Sequence, residues 1–387
     1  MLSKSSMKTH APMIDLESSC LVRDLYKASS QGRIEISVKP FVRRFALSVS
    51  LTLSYGIRID SWKDELLQEI LDVGSGISLL RSASENYQDY VPLLRWLPNR
   101  KRQQGIDLRA RRDQYVKLSM DAAREQIRAG IDIPCVSSAV LKGEETTLTK
   151  MEIGSICLSM ISGGFESVPA TFMMCIASLG TEEGQAFQEQ AYQSIINYYS
   201  TVEAAWSSSH REEQIPYINA LIKETLRQFT VTPMIPPHLT ASDISWNDAV
   251  IPKNTIILVN AQAANHDIKQ YGSTANRFDP LRWLETKDPK RNNWTDRPAT
   301  GLQHLAFGAG ARNCVGAGIA NRMLYTAILR TICCFQIRNS KTRPPNTDPV
   351  DYNEAKSALV AHAKDFDVHF QPRSGVDIGS LLRETKL

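Results

Sequence analysis

Helical periodicity dominates the pattern of apolar and polar positions along this chain. The segment DAAREQIRAGID predicts a helix that gives way to a loop around Ile133, Pro134 and Cys135, and a longer helix is predicted from about Thr147 to Leu179. Apolar residues that recur every three or four positions are typical of helices with one buried face. The pattern therefore indicates a mainly helical protein.

Short strands are predicted only in one later part of the chain. The stretch QIPYINALIKETLRQF predicts a helix with Pro216 in its first turn, where proline is favoured. The strand-like pieces HLTAS and AVIPKNTIILVNAQA follow, broken by proline and asparagine turns, and a helix resumes after Gly316. The prediction is a mainly α protein with small β-sheets, and since no linker divides the chain, residues 1–387 are expected to form a single domain.

Composition and charge exclude several classes of protein. The chain has 387 residues, of which 42% are hydrophobic and 22% charged, as in folded globular proteins. A formal charge of +4, without a long basic run, argues against nucleic-acid binding. The seven cysteines form no CxxC pair, which indicates a reducing compartment and no disulfide framework. No uninterrupted apolar run is long enough to span a membrane, so the chain is expected to be soluble.

The stretch FGAGARNCVG, residues 307–316, concentrates glycines around one arginine and one cysteine. A phosphate-binding role is weakly supported, because Asn313 occupies the third glycine position of a dinucleotide fingerprint and no Gly-Lys-Ser/Thr follows. A catalytic thiol at Cys314 would need a base, and His304 lies ten residues upstream with nothing in the sequence to bring the two together.

A cofactor site would use every special residue of this stretch. Gly308 and Gly310 would let the loop turn tightly so that backbone amides face the Cys314 sulfur, and a helix starting just afterwards would favour the thiolate. Gly316 would let a flat macrocycle lie close to the helix start, and Arg312 would donate to an anionic edge of the cofactor. The alternative is a glycine-rich loop with a buried structural cysteine, and this stretch alone favours neither.

Two further stretches bear on that choice. In KETLR, Glu224 and Arg227 lie three residues apart on a flank away from the apolar helix face, where they could form a bidentate pair. Most such pairs are solvated surface contacts. In NRFDPLRW, Arg277 is the predicted third member of this charged group.

Taken in this order, the motifs resemble those of the cytochrome P450 family. The family's cysteine loop, Phe-Gly-x-Gly-x-Arg-x-Cys-x-Gly, and its Glu-x-x-Arg pair are matched at every fixed position. The matching residues are Phe307, Gly308, Gly310, Arg312, Cys314 and Gly316, with Glu224 and Arg227. The resemblance implies the P450 fold, a heme b cofactor whose iron takes the Cys314 thiolate as its axial ligand, and a structural triad of Glu224, Arg227 and Arg277.

The long predicted helix resembles the family's oxygen-activation segment. In ISGGFESVPAT, two glycines, Gly163 and Gly164, would thin the helix beside the iron, and Glu166 and Ser167 would relay protons. Pro169 cannot donate to the carbonyl of Phe165, which predicts a kink in this helix. Without the resemblance, the same residues describe an ordinary kinked core helix with its glutamate in solvent.

The activity implied by the resemblance is monooxygenation of a small, aromatic organic substrate with O2. Electrons would come from NADPH through NADPH-cytochrome P450 reductase. His238 either contacts a heme propionate or is a histidine of a turn. The pieces SGGFESVPA and PYINALIKETLR resemble fungal P450s of the phenylacetate-hydroxylase type and relatives from secondary metabolism, which implies a role in aromatic catabolism or secondary-metabolite biosynthesis.

The start of the chain departs from the family pattern. Members of this type normally begin with an anchor in the endoplasmic reticulum membrane, with the rest on its cytosolic face, followed by a first β region and heme-covering helices. The sequence predicts a P450 fold that lacks this N-terminal part and is soluble in the cytoplasm. The alternative to an active enzyme is a truncated, non-catalytic remnant that binds heme weakly or not at all.

Overall fold

The fold is mainly helical in the part of the chain that the computed structural model describes, residues 6–80, 91, 93, 100–131, 133–142, 148–285, 295–296 and 303–385. In chain order the helices are α1 (Met7–Ala28), α2 (Lys39–Tyr55), α3 (Glu65–Leu80), α4 (Arg100–Arg128), α5 (Val136–Lys142), α6 (Lys150–Gly164), α7 (Ser167–Leu179), α8 (Glu182–Tyr199), α9 (Val202–Ser208), α10 (Pro216–Gln228), α11 (Ala261–Ala264), α12 (Ile268–Tyr271), α13 (Ala317–Cys334) and α14 (Ile378–Glu384).

The strands form small antiparallel sheets. They are β1 (Ile36–Ser37), β2 (Met234–Leu239), β3 (Ile244–Trp246), β4 (Ala249–Ile251), β5 (Ile256–Asn260), β6 (Leu284–Glu285), β7 (Thr295–Asp296), β8 (Phe335–Asn339) and β9 (Asp367–Pro372). Strand β9 pairs with both β1 and β8, β2 pairs with β5, β3 with β4, and β6 with β7. Strands β8 and β9 contribute Phe335, Ile337, Val368 and Phe370 to the main core. These sheets confirm the predicted mainly α class with a small β portion.

Helix α2 lies between two apolar cores. Its residue Phe45 packs with α1, α7, α10 and α13, whereas Leu47 and Leu51 pack with α3, α4 and α6. The helix begins with Pro40 in its first turn and ends at Gly56, whose φ of +70° closes the helix in the left-handed conformation that glycine adopts at low cost. Helix α2 therefore joins the two halves of the helical body.

Buried ion pairs fix α1 against its neighbours. Arg44 of α2 donates to the carboxylate of Glu17 at 2.5 Å, and the Arg58 side chain reaches the same carboxylate at 2.6 Å. Arg330 of α13 pairs with Asp15. A charge taken out of water is costly unless it is paired and hydrogen-bonded. These contacts therefore specify how α1, α2 and α13 lie against one another.

The helix predicted from about Thr147 to Leu179 is present as two helices with a break. Helix α6 ends at Gly164 and α7 begins at Ser167, so Phe165 and Glu166 lie between them. Pro169 falls in the first turn of α7, where its missing N–H needs no partner. The predicted break is confirmed, and it falls at Phe165 and Glu166, four and three residues before Pro169.

Close packing surrounds this break. A Cβ at Gly164 would lie 2.5 Å from Ser50 Oγ, whereas a Cβ at Gly163 would meet no atom within 4 Å. Within the described residues, Met151–Leu179 is also the one stretch long and apolar enough by composition to cross a membrane, and 67% of its most apolar window is buried inside the fold. Gly164 therefore permits close helix contact, and Gly163 faces open space.

Candidate functional site

The cysteine loop has the backbone conformation that its glycines predict. Gly308 and Gly310 have φ values of +74° and +68°, in the left-handed region where other residues are strained. A short 3-10 turn follows at Gly310–Arg312, and the Cys314 N–H donates to the carbonyl of Phe307 at 2.7 Å. The loop is thus closed on itself around the cysteine.

The thiol of Cys314 is exposed. The other six cysteines are buried: Cys20, Cys135, Cys157, Cys175, Cys333 and Cys334. Helix α13 begins at Ala317, whose N–H donates to the Cys314 carbonyl at 3.3 Å. The sulfur therefore lies beside the N-terminal end of an 18-residue helix, where the partial positive charge of the helix dipole is found. The alternative of a buried structural cysteine is wrong for this residue.

One expectation about this loop is wrong. Within the described residues, no backbone N–H donates to the Cys314 sulfur. The amides expected there are used within the turns of the loop: Gly308 donates to Leu305 at 2.9 Å, Asn313 to Gly310 at 3.3 Å, and Cys314 to Phe307. Cys314 differs from the other cysteines in its exposed sulfur and in its place at the start of α13. That sulfur does not accept hydrogen bonds from backbone amides of the described residues.

The residues around Cys314 fit a flat, anionic, thiolate-bound cofactor. Gly316 leaves the approach to the sulfur open, since a Cβ there would lie 3.8 Å from it, at ordinary contact distance. Arg312 is exposed and makes no hydrogen bond or ion pair with any described residue. Phe307 is half-buried against the main core. A heme would need three things on this side: a ligand for its iron, space beside that ligand, and a cation for its carboxylates. Cys314, Gly316 and Arg312 can supply them in that order.

Glu224 and Arg227 of α10 form a fully buried bidentate pair. Arg227 Nε lies 2.8 Å from Oε2 of Glu224, and Arg227 Nη2 lies 2.7 Å from Oε1. Both side chains are 0% exposed. The predicted bidentate pair is therefore present, and it is a buried pair enclosed by residues 265–283 instead of a solvated surface contact.

The third arginine of this group is Arg282, and the prediction of Arg277 is wrong. Arg282 Nε donates to Glu224 Oε1 at 3.0 Å, and Trp283 Nε1 donates to Glu224 Oε2 at 2.9 Å. Both belong to a 3-10 turn, Pro280–Trp283, that packs on α10. The side chain of Arg277 is exposed, and only its carbonyl takes part, accepting from Arg227 and from Arg282 at 3.1 Å each.

A chain of contacts joins this buried group to the cysteine loop. Arg227 Nη1 donates to the Asn265 carbonyl at 2.8 Å, and Asn265 Oδ1 accepts from the Leu305 N–H at 2.8 Å. The ring of His304 packs between Trp283 and Phe307, and burial lowers the pKa of His304 to about 4. Position and orientation of the loop are therefore set by the buried charges of α10.

The helix break holds the predicted acid and alcohol. The Glu166 side chain is 11% exposed, and its Oε1 lies 3.4 Å from Nε2 of His362. The alternative in which this glutamate lies in solvent is therefore wrong. Ser167 is accessible and donates its hydroxyl to the Gly163 carbonyl at 2.9 Å. The two residues are adjacent, and Gly163 leaves open space beside them.

His238 lies on β2, with its side chain exposed, opposite Ile257 of β5. Among the described residues no hydrogen bond or ring contact connects it to the cysteine loop. Its assignment to a propionate stays a prediction.

Comparison with known proteins identifies the family. The family model for cytochrome P450 matches residues 1–370. The chain belongs to the cytochrome P450 family. This P450 is 39% identical to a phenylacetate 2-hydroxylase of Emericella nidulans over the whole of this chain and 73% of that protein. It is 30% identical to a 3-hydroxyphenylacetate 6-hydroxylase of the same organism, over 97% of this chain and 70% of the relative. A cytochrome P450 monooxygenase of Mycosarcoma maydis is 29% identical, over 98% and 69%.

Family membership makes this P450 a monooxygenase, an oxidoreductase that works with heme-thiolate iron, O2, a redox partner and a small organic substrate. Several functional contacts of this P450 lie outside the motifs that predicted it. They involve Asn265, His304 and His362. Arg282 and Trp283, by contrast, end the NRFDPLRW stretch from which the sequence predicted Arg277. His362 carried no signal, because it lies in a loop far from Glu166 along the chain.

Proposed function

We propose that this P450 hydroxylates a small aromatic substrate with O2 and electrons from NADPH, delivered by NADPH-cytochrome P450 reductase. Two relatives are named as hydroxylases of phenylacetate and of 3-hydroxyphenylacetate, and these names support the substrate class. The observation that carries the proposal is the exposed Cys314 thiol in its glycine loop. The role would lie in aromatic catabolism or in secondary-metabolite biosynthesis.

Heme b, bound through Cys314, supplies the reductive activation of O2 that the reaction needs. The chain's own contribution begins with the exposed sulfur of Cys314, which lies at the start of α13 and would be the ligand of the iron. Gly316 leaves room for the macrocycle, while Arg312 and His238 would donate to its anionic carboxylates. The packing of Phe307 and the turns at Gly308 and Gly310 hold the sulfur in position.

The break between α6 and α7 would supply protons and space to the reaction. The open face at Gly163 would admit O2, and Gly164 lets α6 approach α2 closely. The Ser167 hydroxyl can turn from the Gly163 carbonyl toward a reacting oxygen, because that bond is accessible to solvent. Glu166 would pass protons to it as a general acid.

Replacing Cys314 tests the proposal directly. The reduced chain exposed to carbon monoxide should give the red-shifted Soret band of a thiolate-bound heme, and Cys314→Ala should abolish it. Cys333→Ala is the matched control and should keep the band, because Cys333 is buried in the core, where desolvation raises its pKa to about 12. A Cys314→Ala protein with an unchanged band would overturn the proposal. A wild-type chain without the band would instead support the non-catalytic remnant.

The substrate class is tested separately. The wild-type chain, reductase, NADPH and phenylacetate should together give a product heavier by one oxygen atom in mass spectrometry, and Cys314→Ala should give none. A thiolate band without any such product from phenylacetate or 3-hydroxyphenylacetate would keep the heme assignment and overturn the substrate assignment.

A further inference from the structure

Glu166 faces a histidine that the motifs of the sequence do not include. Nε2 of His362 lies 3.4 Å from Oε1 of Glu166, and each side chain is 11% exposed. Both of these atoms are buried and lack a hydrogen-bond partner of ordinary geometry. Buried polar atoms in native proteins are nearly always satisfied, so two unsatisfied ones that face each other call for an explanation.

The loop between β8 and β9 holds His362 firmly in this place. The His362 N–H donates to Asn353 Oδ1 at 2.9 Å, and the His362 carbonyl accepts from the Glu354 N–H at 2.9 Å. Lys39 at the start of α2 donates to the carboxylate of Glu354 at 2.7 Å and to the Ala363 carbonyl at 3.3 Å. The imidazole is thus presented to Glu166 by a loop anchored to α2.

His362 also lines a cavity. This cavity has a volume of about 710 Å³ and lies between the end of α3, at Ser75 and Leu79, and the loop that carries His362. Glu354 and Lys364 are among its other lining residues. One side chain therefore contacts both the buried carboxylate and a space large enough for many water molecules.

A second basic group lies near the same carboxylate. Arg43 of α2 is largely buried, which lowers its pKa, while the carboxylates of Glu354, Glu166 and Asp365 act in the opposite direction. It makes no hydrogen bond or ion pair with any described residue. A guanidinium does not release its proton in proteins, whereas an imidazole gains and loses one near neutral pH. Of the two basic groups beside Glu166, only His362 can carry protons.

We propose that His362 is a positioning residue for Glu166 and resupplies it with protons from water in the cavity. The ring in its imidazolium form passes the proton on Nε2 to Oε1 of the carboxylate, which leaves a neutral imidazole and a neutral carboxyl group. A proton from bulk solvent, relayed by the water of the cavity, then restores the imidazolium. No electron and no heavy atom is transferred in this step. The proposal rests on the proposed function, in which Glu166 feeds protons to the site.

Two substitutions at position 362 separate proton transfer from simple packing. His362→Gln keeps an N–H that can donate to Glu166 but cannot shuttle a proton, and His362→Ala removes both properties. In both variants the product formed per NADPH should fall by about tenfold, less than the hundredfold or more that a general acid at the reacting atoms supplies. Hydrogen peroxide should rise in proportion. Lys356→Gln, on the rim of the same cavity, is the control and should match the wild type.

A readout without turnover tests the contact itself. In the isolated chain, the ring ¹⁵N resonance of His362 Nε2 should shift on Glu166→Gln, and it should not shift on Lys356→Gln. A resonance unmoved by Glu166→Gln would overturn the pairing.

The possible failures are distinguishable. If the wild type forms product and His362→Gln restores its coupling relative to His362→Ala, the role is structural and the proton relay is wrong. If the wild type forms no product with a bound heme, the proposed function fails and the relay fails with it.

Discussion

The hydroxyl of Ser167 is bonded to its own helix, at the Gly163 carbonyl, in a position open to solvent. If it must turn toward a reacting oxygen, Ser167→Ala should leave heme binding intact but divert reducing equivalents into hydrogen peroxide, because protons reach the oxygen less reliably. Product formed per NADPH consumed is the measurement. The expected loss is about a hundredfold, the low end of what a proton-transfer group supplies.

Ser159 provides the matched control for this substitution. Its hydroxyl makes the same kind of bond, to the Ser155 carbonyl at 2.8 Å, on the exposed face of α6. Ser159→Ala should therefore keep full coupling. Equal coupling in the wild type and Ser167→Ala would show that Ser167 is a packing residue only.

At the scale of elements, the carboxylate of Glu224 joins α10 to the 3-10 turn at Pro280–Trp283 through hydrogen bonds. Glu224→Ala would leave Arg227 buried without its partner, and an uncompensated buried charge typically costs about 3 to 5 kcal/mol. The free energy of unfolding in urea should fall by that amount, with loss of heme. Arg282→Ala should also destabilise, by less, because Arg282 is nearer the surface.

Arg277→Ala is the control at this scale. Its side chain is exposed, and the carbonyl that it contributes to Arg227 is kept by alanine. Its unfolding free energy should stay within about 0.5 kcal/mol of the wild type, as for most surface substitutions. Well-folded heme protein from Glu224→Ala with only slowed turnover would contradict the structural role.

The elements that sequence reasoning predicted well are those whose signals are local. Pro216 opens α10, Gly316 precedes α13, and the φ values of Gly308 and Gly310 follow from residue type, because each of these depends only on the backbone nearby. The choice between Arg277 and Arg282 depends on more than the nearby backbone. Both arginines follow α10 in the sequence, and only the packing of the 3-10 turn decides which one reaches Glu224.

The same limit applies to contacts that bring distant segments together. The pairing of Glu166 with His362 joins a helix break to a loop beyond β8, and no periodicity or spacing connects them. The acceptor of the Cys314 N–H could likewise not be predicted, because the N–H groups of the loop could donate either to the sulfur or to carbonyls of the loop. Local chemistry allowed both, and the closed turns of the loop satisfy the carbonyls.

For the molecule as a whole, buried histidines make stability depend on pH. Burial lowers the pKa of His304 to about 4, and it lowers the pKa values of His266 and His210 as well. The unfolded chain binds protons at these rings near pH 6.5, before the folded chain does. Stability is therefore full above about pH 6.5 and is lost progressively as the pH falls toward 4.

Unfolding in urea at a series of pH values checks this expectation. His304 alone should account for about 3 kcal/mol between pH 7 and pH 4. His304→Phe, which keeps an aromatic ring between Trp283 and Phe307, should flatten the curve by about that amount and match the wild type at pH 7.5 more closely than at pH 4.5. A pH dependence that is the same in both proteins would mean that His304 is not the titrating group.

The sheet of β1, β9 and β8 has a consequence for how this protein is made. Ile36 pairs with Val368, and Asp15 of α1 pairs with Arg330 of α13. A ribosome that adds about 5 to 20 residues per second needs roughly 15 to 65 s to synthesise the intervening chain. During that interval the apolar face of α1 that packs on α13 has no partner. The yield of folded protein in a heterologous host should therefore be limited by chaperone capacity during translation. A lower growth temperature with co-expressed chaperones should raise that yield more than a stronger promoter does.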